Sequence, residues 1–192
     1  MREITFDIET ANILPSFARG EFLKLDLAIV GIHDSETGEF SSYSQEELPK
    51  LWPILEKADV LIGYNSDAFD VPLLNKYYPG DLSKIRSVDL LVEVYEVLGR
   101  RLRLQNLAEA TLGAKKSGDG LKSVEWWQQG LTDKVREYCI QDVRLTRQLY
   151  DYALEHGKLK YKDMKTLRDI KLDTAGWREG GASHAFTHTL PF

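Results

Sequence analysis

The sequence contains very little cysteine and no long apolar run. Cys139 is the only cysteine among 192 residues, so neither an internal disulfide nor a cysteine-based zinc site can form, and a reducing compartment is favoured. The longest apolar runs, such as residues 27–32, are far shorter than the roughly 18 residues that a membrane-spanning helix needs. The first ten residues lack the apolar segment of a signal peptide. We therefore expect a soluble, cytoplasmic protein without a membrane partner.

The chain also lacks an excess of basic residues. Lys and Arg number 25 and Asp and Glu number 30, which gives a formal net charge of −5. Domains that bind duplex nucleic acid through a general basic surface usually carry a net positive charge. Any contact with a polyanion must therefore be local or depend on bound cations. The chain contains no Walker motif, so we expect no requirement for ATP.

The first part of the chain shows the patterns of strands. Apolar and polar residues alternate over residues 2–9, which predicts a strand with one face in a core. Residues 27–33 and 39–43 predict two further strands, and their short connection favours an antiparallel meander. Residues 45–57 then predict a helix with Ser44 as its N-cap.

The central part of the chain alternates between strand and helix. Residues 59–64 predict a buried parallel strand and residues 85–88 a short one. The last and longest helix is predicted to begin at a Thr132 cap. Three antiparallel strands followed by this alternation predict an α/β domain with a mixed five-stranded sheet flanked by helices. One helix is predicted to begin near Val71. Four more are predicted over residues 90–98, 105–112, 123–128 and 132–155.

The end of the chain has a different pattern. Residues 158–162 and 167–173 alternate again and predict a β-hairpin. Residues 176–192 show no periodicity, and we expect a loose tail there. The chain is therefore divided into an α/β domain, residues 1–156, and a C-terminal hairpin with its tail, residues 157–192.

Asp7 and Glu9 form the first candidate metal site. They are two residues apart on a predicted strand, so they share a face and can converge on one ion. Carboxylate oxygens are the ligands that Mg²⁺ and Mn²⁺ prefer. The alternative is a solvated acidic face, which is the commoner place for such a pair.

Asp142 is a second candidate, because it lies within an apolar stripe of the last predicted helix. A carboxylate that faces the core needs a cation, a hydrogen-bond network or a proton. The alternative is a salt bridge to Arg144 or Arg147, although both arginines are angled toward the outer face. Tyr138, one turn earlier, either bonds a water at the same ion or packs as an aromatic residue. The other members of the stripe are Val135, Leu145, Leu149 and Tyr152.

Asp70 has two interpretations. It precedes Val71 and Pro72 at the predicted start of a helix, so a role as N-cap would explain it. The functional interpretation places it near the carboxyl end of a central strand, where α/β sheets build their sites.

Three motifs together resemble the DEDD exonucleases, which adopt a ribonuclease-H-like fold. Residues 6–10 (FDIET) resemble the first motif, residues 65–70 (NSDAFD) the second, and residues 138–142 (YCIQD) the tyrosine form of the third. The resemblance covers residues 1–155. Glu137 stands where the histidine subgroup has histidine, so the chain resembles the tyrosine (DEDDy) subgroup. That subgroup includes stand-alone exonucleases and the proofreading domains of family B polymerases. We expect the stand-alone kind to be closer, because no polymerase follows.

The resemblance implies a 3′→5′ exonuclease that releases nucleoside monophosphates from single-stranded nucleic acid, with DNA favoured and DNA repair as an expected setting. It also implies two ions of Mg²⁺ or Mn²⁺. Asp7, Glu9 and Asp142 would bind one ion. Asp7 would bridge to the second ion, and Asp70 would assist through water. Tyr138 would orient the attacking water.

Substrate contacts are predicted for a smaller and a larger set of residues. In each case the alternative is a solvated surface or core packing. The smaller set is Thr10, Asn65, Phe69, Arg101 and Arg103. The larger set adds Tyr64, Arg100, Lys115, Lys116, Trp126, Trp127, Lys158, Lys160 and Lys162.

Three other functions compete with this hypothesis. One is a ribonuclease of the same fold that processes RNA ends. Another is a non-catalytic nucleic-acid-binding module, against which the complete set of carboxylates argues. The third is a regulatory or structural domain that serves a helicase or polymerase partner.

Overall fold

The computed structural model describes residues 1–14, 24–114 and 120–179. Within them the elements follow the predicted order of strands and helices. Two predicted substrate contacts and the end of the predicted tail lie outside the described residues: Lys115, Lys116 and residues 180–192.

Five strands form one mixed sheet in the order β3-β2-β1-β4-β5. The central strand β1 is antiparallel to β2 and parallel to β4, while β3 is antiparallel to β2 and β5 is parallel to β4. This confirms the predicted antiparallel meander and mixed sheet. The strands are β1 (Glu3–Thr10), β2 (Leu27–Asp34), β3 (Glu39–Ser44), β4 (Val60–Gly63) and β5 (Ser87–Asp89).

Helices cover both faces of the sheet, and the described residues form two large hydrophobic clusters beside a smaller one that contains Cys139. One of the large clusters joins β1 and β2 to α1 and α2, and the other joins β4 and β5 to α3, α4 and α6. None of the described helices is long and apolar enough to span a membrane. The helices are α1 (Leu48–Leu55), α2 (Asp70–Leu74), α3 (Leu90–Leu98), α4 (Leu104–Leu112), α5 (Gly120–Gln128) and α6 (Thr132–His156).

Strand β1 is buried on both faces, whereas the alternation predicted one face in a core. Ile4 and Phe6 belong to the cluster formed with α1 and α2. Glu3 and Thr5, on the opposite face, are buried as well. Helix α6 covers them, and its Arg147 donates a hydrogen bond to Glu3 Oε2 at 2.8 Å. The polar face of β1 therefore lies inside the molecule, between the sheet and α6.

The buried face of α6 is rotated slightly from the predicted stripe. Cys139 and Val143 are completely buried, while the predicted members Tyr138 and Asp142 are half-buried. Gly31 of β2 makes room for this packing, because a Cβ atom there would lie 2.9 Å from the Cys139 Sγ. Asp142 consequently lies at the boundary between core and solvent, where both a cation and water can reach it.

The two predicted helix caps have different outcomes. Ser44 is the N-cap of a short 3₁₀ turn, Gln45–Glu47, that begins the predicted helical segment, whereas Glu47 is the N-cap of α1 itself. The backbone N–H of Ser44 donates to Glu47 Oε2 at 3.0 Å, as in a capping box. Thr132 is not the N-cap of α6, because Leu131 occupies that position and makes no side-chain cap bond. The Leu131 N–H bonds the carbonyl of Trp126 instead, so the turn that ends α5 leads directly into α6.

The predicted hairpin forms from β6 (Lys158–Asp163) and β7 (Thr166–Lys171). Leu159, Tyr161 and Ile170 face the cluster that contains α4 and α6. The boundary between domains at residues 156 and 157 stays a prediction. The lysines of β6 that are predicted as substrate contacts, Lys158, Lys160 and Lys162, occupy the other face. Two of them pair with carboxylates: Lys158 with Asp169 at 2.6 Å, and Lys162 with Glu109 at 2.5 Å.

The predicted loose tail is wrong for its first residues. A 3₁₀ turn spans Ala175–Arg178, and Trp177 is only 4% exposed. Its ring stacks on Tyr150 of α6 with centroids 5.3 Å apart, and Arg178 donates to Glu3 Oε1 at 2.7 Å. These contacts join residues far apart in the chain, so a search for local periodicity does not reveal them.

Replacing Trp177 tests how firmly this turn is anchored. Trp177→Ala removes a buried ring that stacks on another ring, and we expect it to lower the free energy of unfolding by about 3 kcal/mol. Leu167→Ala, at a half-exposed position of β7, is the control and should change it little. Chemical denaturation followed by circular dichroism measures both. Equal stability of the two variants would show that the turn contributes nothing to the fold.

Candidate active site

Three elements bring four carboxylates to one cleft. Strand β1 carries Asp7 and Glu9, α2 begins with Asp70, and α6 carries Asp142. One ligand oxygen from each of Asp7, Glu9 and Asp142 lies within 4.8 Å of the others. Asp70 lines the same cleft, which has a volume of about 270 Å³. Residues that are far apart in the sequence therefore meet near the carboxyl end of the central strand β1.

The period of a β-strand explains the position of Asp7 and Glu9. They point from β1 toward the face that α5 and α6 cover, and the strand becomes irregular directly after Glu9. Glu9 is 8% exposed, and the hydroxyl of Ser123 on α5 donates to its Oε2. The Cys139 Sγ lies 3.4 Å from the Asp7 carbonyl oxygen and 3.8 Å from Oδ2. Each carboxylate of this pair thus contacts a donor on a covering helix.

Asp70 does not cap α2, so the capping interpretation is wrong. Phe69 occupies the N-cap position, and Asp70 is the first residue of the helix and only 4% exposed. Its carboxylate accepts a hydrogen bond from the backbone N–H of Ile8. Strand β4 pairs with β1 only as far as Thr5, so the Ile8 N–H has no partner in the sheet on that side. Because β4 ends early, the N–H of Ile8 is left available to the Asp70 carboxylate.

The loop that delivers Asp70 is fixed by Asp89, the last residue of β5. The buried Asp89 carboxylate accepts backbone N–H bonds from Asn65 at 2.7 Å, Asp67 at 3.1 Å and Leu91 at 2.9 Å. Asn65 adopts a left-handed conformation with φ of 67°. Asp89 thus organises the segment between β4 and α2 while it caps α3.

Tyr138 and Asp142 lie one turn apart on α6, and the Tyr138 hydroxyl hydrogen-bonds the Asp142 carboxylate. Trp126 of α5 packs edge-on against the Tyr138 ring with centroids 6.1 Å apart. Trp126, one of the predicted substrate contacts, is therefore a packing partner of Tyr138. Trp127 is half-buried and packs against the cluster that contains Cys139.

Burial and mutual repulsion raise the pKa values of the acidic groups. Burial raises the pKa of Glu9 to about 8, that of Asp70 to about 7 and that of Asp142 to about 6. Burial also raises the pKa of Asp7, with contributions from the three neighbouring carboxylates. Burial beside these carboxylates raises the pKa of Tyr138 as well, so its phenol stays protonated at neutral pH.

The donor set fits a hard divalent cation. It consists of half-buried and buried carboxylate oxygens that converge, and such ligands suit Mg²⁺ or Mn²⁺. Of the described residues, none that lines the cleft is a lysine or an arginine. Protons or metal ions must therefore neutralise the acidic groups, because no basic side chain of the described lining does so.

The predicted substrate contacts divide into three groups. Thr10, Tyr64, Asn65 and Phe69 line the cleft. Arg101 bonds Asn65 at the rim. The remaining described residues do not line the cleft: Arg100, Arg103, Trp126, Trp127, Lys158, Lys160 and Lys162.

Three residues that support the site were missed by sequence reasoning: Asp89, Ser123 and Cys139. Asp89 carried a usable signal, since it ends a predicted strand and precedes a helix, where α/β sites gather. Ser123 carried none, because its partner Glu9 is 114 residues away.

Comparison with known proteins gives the family. The chain belongs to the RNase_H superfamily, whose family model RNase_H_2 matches residues 4–154. The predicted ribonuclease-H-like fold is thus confirmed. No curated protein sequence matches the chain.

Among solved structures, the family B DNA polymerase from the hyperthermophilic archaeon Pyrobaculum calidifontis is similar, with a TM-score of 0.63 and 20% sequence identity. The match covers 80% of this chain and 24% of the polymerase chain. The chain therefore corresponds to about a quarter of that polymerase, and the similarity is one of fold.

The raised pKa values predict how pH acts on the metal-free protein. Between about pH 6.5 and 8, folded Glu9 and Asp70 retain protons that the unfolded chain has lost, so stability falls as pH rises. We expect that Mg²⁺ bound by the carboxylates would replace these protons and abolish the fall in stability. Melting temperatures at about pH 6.5 and about pH 8, each with EDTA or with Mg²⁺, measure this change in stability. A melting temperature that rises with pH in EDTA would contradict it.

Ser123 offers a test of the support around Glu9. Ser123→Ala removes the hydroxyl that fixes Glu9 Oε2, and we expect divalent-ion affinity to fall about tenfold. Ser123→Thr keeps the hydroxyl and should retain most of the affinity. Val124→Ala, which shortens the neighbouring buried side chain, is the packing control. Mn²⁺ titration followed by electron paramagnetic resonance measures all three; equal losses in Ser123→Ala and Val124→Ala would assign Ser123 to packing alone.

Proposed function

We propose that the chain is a metal-dependent 3′→5′ exonuclease of the DEDDy type that hydrolyses phosphodiester bonds at the 3′ end of single-stranded nucleic acid, with DNA favoured. The convergence of Asp7, Glu9 and Asp142 within 4.8 Å carries this proposal. Asp70 and Tyr138 line the same cleft. These five residues are those that the motif resemblance assigns, and membership of the RNase_H superfamily supports the same class of chemistry.

The carboxylates are proposed to bind two ions of Mg²⁺ or Mn²⁺. Asp7, Glu9 and Asp142 would bind one, while Asp7 and Asp70 would assist a second. Bound there, such ions supply positive charge at the phosphodiester and lower the pKa of a water so that hydroxide is available near neutral pH. To bind cations the carboxylates must release the protons that burial favours, so activity should increase with pH through the range of the raised pKa values.

Tyr138 acts as an orienting group rather than as a base. Its raised pKa keeps the phenol protonated, and its hydroxyl donates to Asp142. The phenol oxygen can then accept a hydrogen bond from the attacking water. Trp126 restricts the ring through edge-on packing, so the hydroxyl keeps one position. An oriented water close to the phosphorus reduces the entropy that the reaction must lose.

The cleft wall is proposed to receive the terminal nucleotide. Thr10, Asn65 and Phe69 line it next to the carboxylates. Phe69 also packs against the core cluster of α1 and α2, so its ring supports the wall on one side and faces the cleft on the other. The Thr10 hydroxyl donates to the carbonyl of Asn12 at 3.0 Å, which fixes the bend after β1.

A nuclease assay tests the proposal. Strands of DNA and RNA labelled at the 5′ end are incubated with Mg²⁺, Mn²⁺ or EDTA, and we expect a ladder that shortens from the 3′ end only with metal. Asp7→Asn should abolish cleavage, because it removes a charge from the metal-binding cluster. Asp133→Asn, at an exposed carboxylate of the first turn of α6, is the matched control and should keep full activity.

The arms of this assay separate the competing functions. Shortening of RNA alone would favour the ribonuclease. Binding of strands without cleavage under every metal would favour the non-catalytic module and contradict the exonuclease. Undiminished cleavage by Asp7→Asn would contradict the proposed site.

Tyr138→Phe tests the role of the phenol. The change keeps the ring against Trp126 and removes only the hydroxyl, so we expect kcat to fall about tenfold or more with KM nearly unchanged. Tyr152→Phe, at a half-buried tyrosine of the same helix outside the cleft lining, is the control. Steady-state kinetics measure both. An unchanged kcat in Tyr138→Phe would assign Tyr138 to packing.

A further inference from the structure

The segment between α3 and α4 runs beside the cleft and is attached to its wall at two points. We call residues 99–103 the rim loop. The hydroxyl of Tyr64 donates to the carbonyl of Leu102 at 2.8 Å, and the guanidinium of Arg101 donates to Oδ1 of Asn65. Tyr64 and Asn65 both line the cleft. The rim loop therefore keeps a defined position next to the acidic site.

Arg100 and Arg101 of the rim loop differ in the charge of their partners. Arg100 lies 3.8 Å from Asp163 of the hairpin, and its guanidinium lies over the Tyr161 ring at 5.1 Å. Arg101 has a neutral partner, the Asn65 amide. Within the described parts of the chain, no carboxylate lies within ion-pair distance of Arg101. Its positive charge is therefore retained at the edge of the cleft, while that of Arg100 is partly balanced.

The amide partner fixes Arg101 without cancelling its charge. Asn65 itself is held, because its N–H bonds the buried Asp89 carboxylate at 2.7 Å. A guanidinium has five N–H donors, so the bond to Asn65 leaves several for another acceptor. Its planar fork matches the geometry of phosphate oxygens. The combination of a fixed position, an uncancelled charge and free donors is typical of a site for a phosphate.

We propose that Arg101 binds a backbone phosphate of the substrate strand upstream of the bond that is cleaved. This inference rests on the proposed exonuclease function. Because the 3′ end enters the cleft, the rest of the strand leaves it in the 5′ direction, and a contact at the rim meets a phosphate on that side. The cluster of Asp7, Glu9 and Asp142 repels a polyanion, so an unneutralised cation at the entrance supplies local attraction in a chain whose net charge is −5.

Arg101→Ala and Arg100→Ala form a matched pair, since each removes one positive charge from adjacent positions of the rim loop. Affinity for a 5′-labelled single strand is measured by fluorescence anisotropy at several salt concentrations. Ca²⁺ replaces Mg²⁺, and a gel confirms that the strand stays uncut. We expect Arg101→Ala to bind about tenfold more weakly and to reduce the slope of log affinity against log salt by about 0.7. Arg100→Ala should change affinity less than about twofold.

A second measurement separates strand binding from support of the cleft. A dinucleoside monophosphate, which is a dinucleotide with a free 5′ hydroxyl, has only the phosphate that is cleaved, so its kcat/KM should be the same in both variants and in the unaltered protein. A loss with the dinucleotide in Arg101→Ala would show that Arg101 supports Asn65 rather than the strand, and would overturn the inference. Equal effects of the two variants on the long strand would overturn it too. Should the unaltered protein cleave no strand, the proposed function itself fails.

Discussion

Electrostatic repulsion among carboxylates that the fold forces together is the constraint on which the rest of this structure depends. Asp7, Glu9 and Asp142 converge within 4.8 Å, and the buried Asp70 lines the same cleft. Burial and proximity disfavour their ionised forms, and the raised pKa values express that conflict. A structure that contains such strain at one site needs a counter-charge, and hard divalent cations suit these ligands best.

Residues outside the set of four carboxylates maintain this arrangement through their contacts. Gly31 allows α6 to approach β2 closely enough to bring Asp142 near the end of β1. Asp89 fixes the loop before Asp70 through three backbone N–H groups. Ser123 fixes one oxygen of Glu9, so that the other remains for an ion. The geometry of the site therefore depends on the whole fold, which is that of the RNase_H superfamily.

Local periodicity predicts which residues share a face of one strand or helix, but it does not predict the contacts between elements. The period of two places Asp7 and Glu9 on one face of β1, and the helical period places Tyr138 and Asp142 one turn apart. That these pairs meet each other follows from the motif resemblance, since periodicity says nothing about contacts between elements. The bond from Arg178 to Glu3 spans 175 residues, and burial of the polar face of β1 depends on α6. Such contacts depend on tertiary packing, which no local pattern encodes.

Crystals grown with Mn²⁺ and measured by anomalous diffraction test the central claim most directly. The account predicts anomalous density among the carboxylate oxygens of Asp7, Glu9 and Asp142, and its loss in crystals of Asp7→Asn under the same conditions. Well-ordered crystals with Mn²⁺ absent from this cleft, or with the ion retained undiminished in Asp7→Asn, would contradict it.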